Sequence, residues 1–398
     1  MTPAPSLLLA SDDVSQADIP VDRPGIAVFF ISAKTVDAGL RNTLVELLED
    51  QGHEALSVSE LNATQAAAAG DIIGCTDRLA VAVVTIDLLP MHLDDHAHRK
   101  YRGFDNPKIP KAAERARYLV HTIFDRLGQL DPVVSTHSTE QAWQVVRELF
   151  PDRETRLRAK AERMRVAFAT EGALQNLTRE GRRAKVELIE LDGEFAIRKT
   201  YRVCGLRYME REIEVLQQLG PIRPEVPKLL GRGENYIVIS FVGEGRNLQL
   251  EHRRGPPAPL PLKVVRALAN FIKACVREGF DPIDIRAPGN VILTDKGLKV
   301  IDFELWRRCG PGMRPEHALC LRGVPAEDTE RPRGVPAFSK PYSEAWYPLT
   351  LLTPESFLHD PVWLQRLKRG VNFLRLWSRW CGAAVVRRVT RSAAGSGT

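Results

Sequence analysis

The sequence predicts two successive folded units, an α/β domain over residues 24–150 and an α+β domain that begins near residue 173. In the first unit, short apolar strands alternate with amphipathic helices, which is typical of compact α/β domains. In the second unit, strands with a hairpin signal come first and helices dominate afterwards. The order of elements therefore predicts a different fold class for each part of the chain.

The elements of the first unit follow from hydrophobic periodicity. Residues 26–31 (IAVFFI) form an apolar run typical of a buried strand, and weaker or similar runs predict strands at 55–58 and 79–86. Leucines that share one face predict a helix over residues 36–52, which Gly52 can end. Two more helices are predicted at 112–127 and 140–150.

The segments that flank the first unit have different patterns. Residues 1–23 lack periodicity and are predicted to be a disordered tail. Residues 151–172 are highly charged with helical periodicity, which predicts either a linker or a helix that docks on a domain.

The second unit opens with a hairpin signal. Residues 185–191 and 194–201 alternate in polarity around Asp192-Gly193, a dipeptide typical of two-residue hairpin turns. A helix over 207–219, ended by Gly220-Pro221, and a strand over 236–242 follow. Beyond a proline-rich stretch, residue 262 starts another helix to residue 278. We therefore predict a strand-rich part at 173–245 and a helical part at 246–360.

Composition limits the possible function classes. Hydrophobic residues make up 44% and charged residues 27%, and no run of about 18 apolar residues predicts a membrane span. Six cysteines occur singly, which favours a reducing cytoplasm over a disulfide scaffold. Residues 1–150 hold 13 Lys/Arg against 21 Asp/Glu, and the remainder holds 43 against 29. The basic remainder suits phosphate-bearing ligands, anionic lipid or nucleic acid, or is an ordinary solvated surface.

The C-terminal segment, residues 361–398, is predicted to be a basic amphipathic helix and tail. It contains eight Lys/Arg and no Asp/Glu. Apolar residues recur there at helical spacing, namely Trp363, Leu367, Val371, Leu374, Trp377 and Cys381. One hypothesis is that residues 361–391 dock on an anionic membrane surface, with the protein peripheral to the inner face. The alternative is a last domain helix with its apolar face inward; nucleic acid is disfavoured because no recognition motif accompanies the charge.

Three polar residues between positions 281 and 304 carry the predicted chemistry. Asp284, Asn290 and Asp302 fall on a predicted loop, short hairpin and second loop. Phosphoryl transfer from Mg-ATP uses one carboxylate to orient the attacking hydroxyl, and an amide oxygen and a second carboxylate to hold metal ions. These residue types, in this order, predict that reaction class.

The motifs around these residues resemble those of the protein-kinase-like superfamily, in particular its bacterial aminoglycoside-type and lipopolysaccharide-type branches. PGNVIL at 288–293 and VIDFE at 300–304 carry the likeness, which extends over residues 173–345. The resemblance implies a bilobal kinase-like domain that uses ATP and Mg²⁺, with Asn290 and Asp302 as metal ligands. It also implies Asp284 as the catalytic base, with Arg286 near the transferred phosphate.

The catalytic loop departs from the family pattern. The family's His-Arg-Asp is replaced by Pro282-Ile283-Asp284, and the spacing from Asp284 to Asn290 is six residues instead of five. Asp281 is the alternative base.

The same resemblance implies a phosphate-pairing lysine on the strand over 194–201 and a glutamate partner on the helix over 207–219. Neighbouring residues of a strand point to opposite faces, so only one of Lys199 and Arg198 can face the cleft. The resemblance favours Lys199. Glu212 is favoured over Glu210 and Glu214, because it lies nearest the face that carries Leu216 and Leu219.

Two further nucleotide contacts are implied. Gly181 is the only glycine in the segment that would form the phosphate-binding loop, where Arg182 and Arg183 supply side-chain charge instead. Phe241 and Val242 lie at the end of the strand predicted over 236–242, where the resemblance implies a connection that faces the adenine ring.

The first unit resembles two families. Its opening, residues 26–56, is similar to TIR-type or flavodoxin-like parallel-sheet domains. Residues 99–107 (RKYRGFDNP) resemble nucleoside diphosphate kinase, but the position of that family's phosphohistidine carries Val134, with His137 three residues away. A regulatory or binding role is therefore expected here.

Together these features predict an ATP- and Mg²⁺-dependent phosphotransferase whose acceptor is the hydroxyl of a sugar or a lipid-linked glycan. A small molecule or protein hydroxyl is also possible as acceptor, so a protein Ser/Thr kinase is one alternative. A catalytically inactive kinase-like scaffold is another, because the His-Arg pair before Asp284 is missing.

Overall fold

The chain folds as a mixed α and β protein with several small antiparallel sheets. The computed structural model describes residues 25–90, 100–123, 132–178, 181, 183–243, 246–247, 259–283, 285, 290–323, 342 and 346–395. The predicted tail at 1–23, Asp284 and Arg286 lie outside the described residues. No helix among the described residues combines the length and the apolar character that crossing a bilayer requires.

The N-terminal unit is a four-stranded sheet covered by helices on both faces. In chain order its elements are β1 (Gly25–Ser32), α1 (Ala33–Asp37), α2 (Arg41–Asp50), β2 (Glu54–Glu60), α3 (Ala63–Ile73), β3 (Leu79–Asp87), α4 (Lys108–Ile123), β4 (Val133–Ser135), α5 (Thr139–Leu149) and α6 (Glu154–Phe168). The strand order is β2-β3-β1-β4 and every neighbouring pair is antiparallel. Strands β3 and β1 are therefore central in this sheet, and β2 and β4 lie at its edges.

The antiparallel pairing corrects the expectation of a TIR-type or flavodoxin-like parallel sheet. Strand β1 is buried along its whole length, because its alternate residues enter two cores: Val28 faces α5 and Phe29 faces α2 and α4. A strand buried on both faces has a continuous apolar sequence whichever direction its neighbours run. Hydrophobic periodicity therefore predicted the strand and its burial but not its pairing.

Helix α6, in the predicted linker, docks on the N-terminal unit. Leu157 and Ala161 join the core on the α5 side of the sheet. The Lys160 ammonium donates to the Leu56 carbonyl at 2.8 Å, and the Arg158 guanidinium lies over the Trp143 ring at 4.1 Å. The sequence predicted either a linker or a docking helix, and these contacts agree with a docking helix.

The second unit begins with a five-stranded antiparallel sheet and one helix. Its elements are β5 (Gln175–Asn176), β6 (Ala184–Leu191), β7 (Glu194–Tyr201), α7 (Leu206–Leu219), β8 (Leu229–Arg232) and β9 (Tyr236–Ser240). The strand order is β5-β6-β7-β9-β8. The predicted hairpin is confirmed as β6 and β7, with Asp192 and Gly193 both at positive φ, as a type I′ turn requires.

The described residues beyond β9 are mostly helical and form two small sheets. Their elements are β10 (Arg246–Asn247), α8 (Leu262–Arg277), β11 (Phe280–Asp281), β12 (Val291–Thr294), β13 (Gly297–Val300), β14 (Arg307–Arg308), α9 (Leu319–Arg322), α10 (Tyr347–Thr350), α11 (Pro354–His359) and α12 (Val362–Gly395). Strand β10 pairs with β12, and the Val300 amide donates to the Glu225 carbonyl at 2.8 Å. One hydrophobic cluster runs from α7 and the five-stranded sheet to α8, so the two parts share a core.

Candidate active site

The Lys199 ammonium joins two carboxylates from different parts of the second unit. Its Nζ lies 2.6 Å from Glu212 Oε2 on α7 and 3.2 Å from Asp302 Oδ1, just beyond β13. The Tyr201 hydroxyl donates to the same Glu212 oxygen. Residues more than 100 positions apart in the chain therefore meet at one amino group.

Strand geometry decides which basic residue of β7 reaches this point. Alternate residues of a strand point to opposite faces, so Lys199 and Tyr201 share one face and Arg198 lies on the other. The Arg198 guanidinium lies 3.9 Å from the centre of the Tyr236 ring on the neighbouring strand β9. Lys199 is thus the one of the two that the structure brings to Glu212 and Asp302.

Helix geometry selects among the three glutamates of α7. Glu212 is fully buried on the face that also buries Leu216 and Leu219, which matches the predicted face. Glu210 is exposed, and Glu214 pairs with Arg308 at 2.7 Å. Lys199 and Glu212 form their ion pair inside the core, so the glutamate must lie on the buried face of α7.

The β12–β13 hairpin brings Asn290 beside Asp302. Val291 opposes Val300 in the hairpin register, and the Ile301 amide donates to the Asn290 carbonyl at 2.9 Å. Asp302 has a φ of 69°, a left-handed conformation that costs a non-glycine residue about 1–3 kcal/mol. Its side chain remains 33% exposed, so a carboxylate oxygen is accessible next to Lys199.

A second ion pair lies beside the first. The Arg183 guanidinium, just before β6, binds the Glu304 carboxylate and lies over the Tyr208 ring at 4.9 Å. Burial by itself lowers the pKa of the Arg183 guanidinium, but the Glu304 charge outweighs burial and raises that pKa above its ordinary value. The guanidinium therefore stays charged. Burial, and then the Asp302 charge, raise the pKa of the Glu304 carboxyl, which Arg183 opposes.

Burial and neighbouring charges shift the pKa values of Lys199 and Tyr201. Burial lowers the pKa of the Lys199 ammonium, but Glu212, then Tyr201 and Asp302, hold that pKa well above its ordinary value. Burial, and then the Glu212 charge, also raise the pKa of the Tyr201 hydroxyl well above its ordinary value, so it stays a donor. Among the described residues, the ammonium of Lys199 and the guanidinium of Arg183 therefore face three carboxyl groups, those of Glu212, Asp302 and Glu304.

Asn290 and Asp302 have the ligand types that fit Mg²⁺. This ion takes oxygen ligands and usually binds through one or two protein groups, with water and phosphate completing its shell. Among the described residues, no group of three or more His, Cys, Asp or Glu side chains is arranged to hold a metal. A site for Mg²⁺ here would therefore consist of one carboxylate, one amide and the phosphates of a nucleotide.

The other predicted site residues have different surroundings. Gly181 has a φ of 58°, its carbonyl accepts from the Arg202 guanidinium at 3.0 Å, and a Cβ there would lie 2.7 Å from Leu89. Gly181 therefore contacts the N-terminal unit, which the sequence did not indicate. Phe241 and Val242 are half-buried just beyond β9, and the Phe241 ring meets Phe195 edge-on.

Asp281, the alternative base, is buried and contacts groups within the fold. Its Oδ1 accepts from the Leu319 amide at 3.0 Å and its Oδ2 lies 3.7 Å from Arg307. Asp284 and Arg286 are outside the described residues, so the position of the base stays a prediction.

Sequence reasoning missed two contributors to this site, Tyr201 and Glu304. Tyr201 lies two residues beyond Lys199 on the same face of β7, so strand alternation could have indicated it. Glu304 was recognised only as part of the VIDFE motif, and its partner Arg183 is 121 residues away.

Compared with known proteins, this chain matches no protein-family model and no curated protein.

Proposed function

We propose that the second unit is an ATP- and Mg²⁺-dependent phosphotransferase with a bilobal kinase-like architecture. The observation that carries the proposal is the Lys199 ammonium held between Glu212 and Asp302, with Asn290 on the adjacent backbone. A five-stranded antiparallel sheet with one helix, joined to a helical part, supports the architecture. We infer ATP and Mg²⁺ because phosphoryl transfer from Mg-ATP uses these types of side chain.

Each side chain has a role in this proposal. Asn290 and Asp302 would hold Mg²⁺, which would supply positive charge to neutralise the nucleotide phosphates. Lys199, oriented by Glu212 and Tyr201, pairs with phosphate oxygens as a fixed cation. Because the Lys199 ammonium is buried and already positioned, little reorganisation is needed when charge develops. By the resemblance, Asp284 would orient the acceptor hydroxyl and Arg286 would lie near the transferred phosphate; both are outside the described residues.

The acceptor that we propose is the hydroxyl of a sugar or lipid-linked glycan. The Asp-Phe-Glu form at 302–304 supports this class through the resemblance to small-molecule kinase branches. Glu304, the third residue of this motif, forms an ion pair with Arg183. A glycine at this position would be flexible and could not form that pair.

The test is Mg-ATP binding by calorimetry and phosphate transfer from labelled ATP. Asp302→Asn should lower turnover by about 100-fold or more, because it removes the charge opposite the metal. Asp295→Asn is the matched control, since Asp295 lies on the turn of the same hairpin and is exposed. An unmodified protein that does not bind Mg-ATP would refute the proposal. Binding without transfer would favour the inactive scaffold, and transfer to a protein acceptor alone would favour a Ser/Thr kinase.

A further inference from the structure

The outer face of α12 is apolar although it faces solvent. Trp363, Leu367, Val371 and Leu374 are 67%, 60%, 43% and 68% exposed. At about 100° per residue these positions fall within one quarter of the helix circumference. Trp377 lies at the edge of the same face, 42% exposed, with its ring against Phe373. We refer to Trp363, Leu367, Val371 and Leu374 as the outer stripe.

The inner face of α12 is attached by polar contacts. The Gln365 amide donates to the Ser356 and Phe357 carbonyls at 2.9 and 3.2 Å, and Asn372 donates to the Leu351 carbonyl at 2.9 Å. The Arg369 guanidinium binds the Leu260 carbonyl. A surface helix normally turns its apolar residues to the core and its polar residues to water. Here hydrogen bonds hold the helix, and the outer stripe contributes little to the packing of the chain.

Positive charge borders the outer stripe. Arg366 and Arg375 are exposed and lie on opposite edges of it, because they are rotated about 80–100° to either side of its centre. From residue 361 to the C-terminus the chain has eight Lys/Arg and no Asp/Glu. Apolar and aromatic residues flanked by arginines match the boundary of an anionic bilayer, where acyl chains lie beneath lipid phosphates.

We propose that α12 is a membrane-surface helix that places its outer stripe in the headgroup boundary of an anionic bilayer. A second copy of the chain is a poorer occupant, because a two-fold contact would bring together two helices that carry Lys and Arg but no Asp or Glu. The helix lies parallel to the surface, with Trp363 among the headgroups and Leu367 and Leu374 below them. This role does not depend on the phosphotransferase reaction and applies equally to an inactive protein.

The experiment is vesicle sedimentation with the full-length chain. Vesicles of phosphatidylcholine alone are compared with vesicles that also contain phosphatidylglycerol. The unmodified protein should bind the anionic vesicles, and added salt should weaken the binding because exposed charges are screened. Leu367→Ser/Leu374→Ser should weaken it by about tenfold or more, since two apolar side chains that would enter the bilayer are lost.

The matched control is Leu174→Ser/Leu230→Ser, which alters two leucines that are also exposed but lie far from α12 in the chain. Both double variants should melt like the unmodified protein, because none of the four side chains is buried. Equal vesicle binding by the two double variants would overturn the proposal, as would no binding by the unmodified protein. A dimer that dissociates in Leu367→Ser/Leu374→Ser, without vesicle binding, would assign the outer stripe to self-association instead.

Discussion

Two buried ion clusters lie at either end of one short stretch of chain, and they differ in how completely they are closed. Around Lys199, the Asp302 side chain is 33% exposed. Around Asp87, both Asp87 and its partner Arg202 are 0% exposed. The Asp302 carboxylate of the first cluster is accessible, whereas the Asp87 carboxylate of the second is not. We therefore distinguish a candidate site from a structural joint, by which we mean a closed ion cluster that holds the two units together.

The Asp87 cluster joins the N-terminal unit to the second unit. Asp87 Oδ1 lies 2.7 Å from the Arg202 guanidinium, and Oδ2 lies 3.2 Å from the Lys108 ammonium and 2.9 Å from the Asn106 amide. The Arg202 guanidinium also donates to the Gly52 carbonyl at 2.9 Å. Burial raises the pKa of the Asp87 carboxyl, but Lys108 and Arg202 together hold that pKa well below its ordinary value.

The two clusters are close in the chain. Arg202 follows the last residue of β7, three positions beyond Lys199. The segment that continues into α7 also contacts the N-terminal unit, where the Cys204 thiol meets the Glu49 carbonyl at 3.4 Å and Arg207 lies 3.5 Å from Asp50. The N-terminal unit therefore supports the strand and helix that position Lys199 and Glu212.

Removing the Asp87 charge should have the largest effect on stability. Asp87→Asn removes the buried carboxylate that Arg202 and Lys108 share and leaves Arg202 with the Glu54 carboxylate at 3.5 Å, so we expect a loss of about 3–5 kcal/mol in the free energy of unfolding, measured with urea. Asp37→Asn, an exposed aspartate of the same unit, is the control and should change stability by less than about 0.5 kcal/mol. A loss below about 1 kcal/mol for Asp87→Asn would show that the cluster is not a structural joint.

The Asp87 cluster should also make stability sensitive to acid through His53. Burial lowers the pKa of the His53 imidazole from 6.5 to about 4, Asp87 opposes this shift, and Lys108 and Arg202 add to it. Because the folded-state pKa is depressed, the unfolded chain binds a proton between about pH 6.5 and pH 4 that the folded chain does not. Stability should therefore fall by about 3 kcal/mol as the pH drops from 7 to 4.

The measurement is the pH dependence of urea unfolding for the unmodified protein and for His53→Gln. The difference between the two should shrink or reverse across that pH window, because only the histidine takes up the proton. His137→Gln, which replaces an exposed histidine of the same unit, is the matched control. Parallel curves for His53→Gln and the unmodified protein would argue against a buried neutral imidazole.

Neutralising the Lys199 cluster as a pair should affect activity and spare the fold. Lys199→Met/Glu212→Gln removes both buried charges at similar volume, and Tyr201 keeps an acceptor, so unfolding should change by no more than about 1–2 kcal/mol. Phosphate transfer should fall by about 100-fold or more, because the fixed cation is lost. Glu210→Gln, on the exposed side of α7, is the control. A double variant that unfolds like Asp87→Asn, or keeps full transfer, would remove the contrast between the clusters.

Much of the fold was predictable because local signals were strong. The turn at Asp192-Gly193 and the apolar runs around it predicted the β6–β7 hairpin, which is confirmed. Helix α7 was expected over 207–219 and is observed at Leu206–Leu219. By contrast, the helix expected over 36–52 is divided into α1 and α2, with Gly39 at a φ of 76° between them. Helix α3 was missed because its alanine-rich sequence has a weak apolar face.

The candidate site divides in the same way. Helix periodicity could select Glu212, and the resemblance favoured Lys199 where strand alternation left Arg198 open. The hairpin register could bring Asn290 next to Asp302. The partnership of Arg183 with Glu304 and the contact of Gly181 with Leu89 were not predictable, since each joins segments far apart in the chain. Loop residues such as Asp284 carry no periodic signal, so their positions depend on contacts that sequence spacing does not encode.

The sequence by itself determined where strands and helices form, which faces are apolar, and that α12 has a basic amphipathic pattern. These properties depend on neighbours within a few residues, which periodicity and turn chemistry report directly. Only the tertiary structure decided that the N-terminal sheet is antiparallel, that Arg202 closes a joint between units, and that the outer stripe of α12 faces solvent. These features depend on which distant surfaces meet, and a local pattern is compatible with more than one answer.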